Sequence, residues 1–153
     1  MMKTPLLVLT AFLLATGAMV TTMQAGEPAL VIGIDDASLE WGPCPDFIPA
    51  GCEIAVLHGD PAKPNVDILF RVPGDFHIPL HKHTSAERMV LVSGTLNVTY
   101  EGQETATIHT GNYAFGPAER PHDAYCAAGD PCVLVIAFEA PLDAIPVAVE
   151  GGG

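Results

Sequence analysis

Basic residues are scarce in this chain. Six Lys and Arg stand against 18 Asp and Glu in 153 residues, a formal charge of −12 with His neutral. A nucleic-acid partner requires a basic patch that releases phosphate counterions, and so few scattered cations cannot build one. An anionic membrane surface is disfavoured for the same reason. Long apolar runs are also missing: the run from Leu6 to about Ala15 falls short of the ~18 to 20 residues a helix needs to cross a bilayer. Cysteine is limited to four residues with no C-x-x-C spacing, which removes the usual zinc knuckle. Strong helical periodicity is absent throughout, and the length fits one domain rather than two large ones.

What is present begins with MMKTPLLVLTAFLLATGAMVTTMQA, a lone Lys3, an apolar run and then small residues. This is the pattern of a secretory signal peptide over residues 1–25, with cleavage expected after Ala25 or Ala18. No Cys lies near that junction to carry a lipid anchor. The expected mature protein is secreted or periplasmic, with no membrane span after cleavage. It comprises one domain over 26–140 and a tail over 141–153 that is expected to fray. Export places the cysteines in an oxidising compartment, where close pairs favour disulfides. Of the three pairings open to four thiols, local spacing favours Cys44 with Cys52 and Cys126 with Cys132. Each such loop contributes roughly 2 to 3 kcal/mol in the chain-entropy account.

Dense punctuation and short apolar runs predict an all-β chain. Strands are expected at 29–34, 53–58, 66–72, 88–93, 95–100, 105–110, 112–115, 123–126 and 133–139. In the third of these Val66, Ile68, Phe70 and Val72 alternate with Asp67, Leu69 and Arg71, giving one apolar and one mixed face. Nine short strands separated by turn residues predict a sandwich or barrel.

Residues with chemistry concentrate in two stretches. In GDFHIPLHKHTSAERMVLVSG, residues 74–94, His81 and His83 are two apart and project to one face of an extended strand. Glu87 opens the following strand and returns beside them if the two strands pair. In GNYAFGPAERPH, residues 111–122, His122 follows a Pro-containing bend and is placed to supply a third imidazole from across the barrel. Histidines buried without a metal must be neutral and hydrogen-bonded, and three around one carboxylate make that arrangement unfavourable. Imidazoles and a carboxylate that converge form a donor set for a divalent first-row metal.

Other residues have weaker assignments. His77 is placed to line the pocket mouth, although Pro79 leaves its direction open. Arg71 is the better of two arginines to meet a carboxylate substrate, because Arg88 follows Glu87 and faces away. Tyr113 and Phe115 share one strand face and either fill the core, the favoured reading, or wall a ligand cavity. His58 and His109 read as surface residues, and Glu119 as a solvated loop carboxylate. Cys126 shares the parity of His122, so the alternative to its disulfide is a thiol near the metal.

These two stretches resemble the cupin superfamily. The first family motif, G-x5-H-x-H-x3,4-E-x6-G, is met by His81, His83, Glu87 and Gly94, with six residues rather than five between Gly74 and His81. The second, G-x5-P-x-G-x2-H-x3-N, is met by Gly111, Pro117 and His122, while Glu119 and Cys126 stand at its middle Gly and final Asn. From about Trp41 to Glu139 the chain is similar to small ChrR-like single-domain cupins, related to the sensory cupin domain of an anti-sigma factor. No further domain to grip a sigma factor is expected, so that regulatory role is not carried over.

The resemblance implies a double-stranded β-helix, or jelly roll, with one divalent transition metal per chain on His81, His83, Glu87 and His122. The donors do not distinguish iron, manganese, zinc, nickel and copper. It further implies a small-molecule ligand and an enzyme of dioxygenase or isomerase type. A non-catalytic binding or sensing module is the alternative, because cupins host many chemistries. A homodimer through exposed sheet edges is also expected.

Overall fold

The computed structural model describes residues 26–148, so the expected signal peptide lies outside the described residues, as do residues 149–153. Eleven strands occur in chain order: β1 (Trp41–Pro43), β2 (Glu53–His58), β3 (Val66–Val72), β4 (Phe76–Lys82), β5 (Glu87–Ser93), β6 (Thr95–Tyr100), β7 (Ala106–His109), β8 (Tyr113–Gly116), β9 (His122–Cys126), β10 (Cys132–Phe138) and β11 (Ile145–Pro146). They form a six-stranded sheet ordered β1-β2-β3-β10-β5-β8 and a five-stranded sheet ordered β11-β4-β9-β6-β7. Every neighbouring pair is antiparallel. All strands belong to the unit that begins at Ile32.

Side-chain alternation explains why two sheets close on one another. On β10, Cys132, Leu134, Ile136 and Phe138 point inward, while the residues between them are half-buried. Leu96, Val98 and Tyr100 on β6 and Ala124 and Cys126 on β9 present the facing wall. Burying a Leu, Ile or Phe side chain contributes roughly 1.5 to 3 kcal/mol, so this alternation is the main stabiliser of the sandwich. Cys44–Cys52 ties the approach to β2, and Cys126–Cys132 ties β9 of one sheet to β10 of the other. At Gly94, between β5 and β6, φ is +83° and an added Cβ would lie 2.8 Å from the Pro131 carbonyl oxygen. Only glycine permits that crossing between sheets.

Three differences from the sequence expectation matter. Ala29–Ile34 forms no strand; it runs into a turn closed by Asp36 N–H on the Gly33 carbonyl. Part of the tail is paired: β11 lies against β4, and Val147 N–H donates to the Leu80 carbonyl. β4 is a full strand despite Pro79, because its register shifts between Ile78 and His81. At such a bulge the ladder needs no N–H from that residue, and proline is tolerated.

Candidate metal centre

The bulge in β4 decides which histidines face inward. Phe76 and Ile78 are buried on the even positions; after the extra residue at Pro79-Leu80, His81 and His83 are buried on the odd ones. Without that shift the inward positions would carry Leu80 and Lys82. His122, at the start of β9, lies directly opposite His81 in the ladder. It is a neighbour in the same sheet, not a residue from across the barrel. Glu87 comes from across: β5 belongs to the other sheet and does not pair with β4. Convergence therefore depends on closure of the sandwich rather than on a hairpin.

All four side chains are buried, each at most 8% exposed. Each imidazole is oriented through Nδ1 by a backbone carbonyl: His81 by Pro79 at 2.7 Å, His122 by Arg120 at 3.1 Å, and His83 by Asp143. A ring that donates from Nδ1 carries a bare lone pair on Nε2. One nitrogen from each of His81, His83 and His122 lies within 4.8 Å of the others. Glu87 approaches with Oε1 3.3 Å from His83 Nε2 and Oε2 3.4 Å from His122 Nε2. His83 Nε2 is fully buried without a hydrogen-bond partner. Lone pairs facing carboxylate oxygens at these distances repel unless a cation lies among them. The donor set therefore fits a divalent metal ion.

Charge on His81 and His122 is disfavoured. Burial, reinforced by His122 and His83 nearby, pushes His81 down to about 3. Burial also lowers His122, against the opposing pull of Glu87. Neutral imidazoles are the metal-binding form.

The four side chains open into a cavity of about 540 Å³ between the sheets. Its walls are largely apolar and include Ile54, Ile68, Phe70, Val98, Ile136 and Phe138. Tyr100 also lines this space, and its hydroxyl is fully buried with no hydrogen-bond partner. Burial and the Glu87 charge raise its pKa, so it stays a phenol. Gly116 makes room here: an added Cβ would lie 2.8 Å from the Tyr100 hydroxyl and 3.0 Å from Glu87 Oε2.

The remaining expected residues lie elsewhere. His77 is exposed and faces Asp123 at 3.5 Å. Arg71 pairs with Glu53 at 2.7 Å and stacks over Trp41, outside the cavity. Tyr113 and Phe115 neither fill the core nor wall the cavity; at 61% and 52% exposure they stand on β8, at the edge of its sheet. Arg88 pairs with Glu139, and Glu119 with Lys82. Tyr100 went unassigned, although its parity with Leu96 and Val98 on β6 marks it as inward. Asp143 was also missed. Its carbonyl orients His83, and its carboxylate accepts from the Thr84 N–H and hydroxyl. No local pattern reveals a contact across 60 residues of chain.

Residues 69–138, which run from within β3 to the end of β10, match the Cupin domain family. That stretch is a cupin domain. Among solved structures this cupin is similar to the DMSP lyase DddQ from Ruegeria pomeroyi, with a TM-score of 0.63 and 16% identity over 74% of this chain and 64% of that chain. It is also similar to the polyketide cyclase RemF from Streptomyces resistomycificus, with a TM-score of 0.62, 17% identity and coverage of 79% and 88%. A cupin 2 conserved barrel domain protein from Rhodopseudomonas palustris gives 0.61 and 15%, over 74% and 80%. The chain thus spans just under two thirds of the lyase. These likenesses carry the fold alone, and no curated protein matches the sequence.

Proposed function

We propose that this cupin is an exported, metal-dependent enzyme that acts on a small molecule inside the barrel. It would hold one divalent transition metal per chain on His81, His83, Glu87 and His122. The observation that carries the reading is the convergence of three bare imidazole nitrogens and one carboxylate at the wall of an otherwise apolar cavity. A bound divalent ion supplies Lewis-acid polarisation of a substrate oxygen.

The chain's own groups do the rest. The carbonyls of Pro79, Arg120 and Asp143 fix the tautomer and direction of the imidazoles, so little reorganisation accompanies binding. The apolar walls exclude water and strengthen each charge interaction within them. Tyr100 keeps its proton and donates a hydrogen bond to a substrate oxygen on which negative charge develops. That role suits the isomerase side of the expectation, proton redistribution next to a polarised carbonyl, better than dioxygenase chemistry. The lyase and the cyclase among the similar structures support catalysis in such a barrel. Two disulfides support an oxidising compartment.

The test is metal removal and return. Chelated protein should lose turnover in a screen of enolisable carbonyl compounds, and reloading with iron, manganese, nickel, copper or zinc in turn should restore it. Tight ligand binding with no turnover under any metal would give the site to the non-catalytic binding reading.

A further inference from the structure

The charges of the cavity restrict what enters it. None of its lining residues is Lys or Arg, whereas Glu40, Glu87 and Asp143 are acidic. Four of the five described cations are engaged outside it: Lys63 with Asp60, Arg71 with Glu53, Lys82 with Glu119 and Arg88 with Glu139. Arg120, the fifth, does not line the cavity. Resting on the metal-centre reading above, we propose that the substrate class is an uncharged, largely apolar molecule that meets the ion through an oxygen donor and lays an aliphatic or aromatic body along the walls.

Two physical arguments carry this. First, an anion that enters apolar walls without a cationic partner loses its hydration and regains little. Within the donor set, a divalent ion beside the Glu87 carboxylate leaves one net positive charge, enough for a single oxygen that becomes anionic on binding and too little for a dicarboxylate, and Glu40 and Asp143 add no cation to help. Secondly, Tyr100 lines the cavity and its buried hydroxyl has no hydrogen-bond partner among the described residues; turned toward the ligand, it would satisfy one further substrate oxygen. Beyond that oxygen the walls, among them Ile48, Ile68, Phe70, Val98 and Leu134, offer hydrocarbon contact. A volume of about 540 Å³ lies within the range of pockets that enclose drug-sized ligands.

The experiment is calorimetric titration of the full exported protein, in zinc-loaded and metal-free forms with zinc content measured in each. The probes are acetohydroxamic, butyrohydroxamic, hexanohydroxamic and octanohydroxamic acid, with oxalate and malonate alongside. Zinc-loaded protein should bind the hydroxamic acids with affinity that rises along the series, up to about fourfold per added methylene. Both dicarboxylates should bind more weakly than the hexanoyl compound. Ile54→Arg places a cation on the cavity wall and should reverse the preference towards oxalate. A flat or falling series, or tighter oxalate binding in the unaltered protein, overturns the proposal. Zinc that is held while the series stays flat removes the substrate class and leaves the metal reading intact. A rising series in protein that holds no zinc retains the apolar class and removes the metal reading.

Discussion

Tyr100 holds the least satisfied hydroxyl of the site, which makes it the sharpest single-residue probe. Its partnerless group is a liability to folding, since an unsatisfied buried hydroxyl costs about 1 to 3 kcal/mol. Tyr100→Phe should therefore leave the urea midpoint unchanged or raised and retain bound metal, while turnover falls by about 10²- to 10³-fold, the usual effect of removing a donor from developing negative charge. A lowered midpoint with unaltered turnover would assign the residue to packing. At this scale the sequence was a good guide to residue type and a poor one to direction. His81 and His83, two apart, do share a face, but the face is chosen by the bulge beside Pro79. Strand parity puts Tyr113 and Phe115 on one face without saying which sheet face meets the core, and Arg71 follows only from setting Arg88 aside. Their partners, or their exposure, place them outside the cavity.

Among the elements, the segment after β10 contributes more to the site than its composition foretells. β11 adds an edge strand to β4, and between β10 and β11 Asp143 grips Thr84 with its carboxylate and orients His83 with its carbonyl. Loss of a group that orients a metal-binding histidine lowers metal affinity by about 10- to 100-fold. Thr84→Val should produce a drop near the low end of that range in competition with a chromophoric chelator, with little change in unfolding midpoint because the contact is exposed. Unchanged affinity would show that β11 alone holds the segment in place. Strands with clean alternation, such as β6, β9 and β10, were legible because half of each meets the core. β1 and β11 were not: three residues and two residues are too short to carry a period. Ala29–Ile34 has the composition of a strand but joins no ladder.

Over the whole molecule, closure of two sheets brings Glu87 to the three histidines, so folding assembles the proposed metal site and would be coupled to metal binding. In metal-free protein this coupling has a pH signature. His81 is pushed down to about 3 from 6.5, so between those values the unfolded chain takes up a proton that the folded site refuses. Stability then rises with pH across that window and is lost on acidification; above it the group contributes no further slope. His122 shifts in the same direction. The urea midpoint of metal-free protein should be lower at about pH 5 than at about pH 7, with a weaker dependence in His81→Ala; a midpoint that rises on acidification would contradict the account. The jelly roll and its two disulfides were legible in turn spacing, motif spacing and local cysteine pairs. The apolar cavity was not, because its wall is assembled from strands distant in the chain. The most direct test of the central claim is elemental mass spectrometry on the protein exported to a periplasm, with His81→Ala prepared in parallel. The account predicts about one divalent transition metal per chain, lost in the variant; no metal in either sample, or equal metal in both, would contradict it.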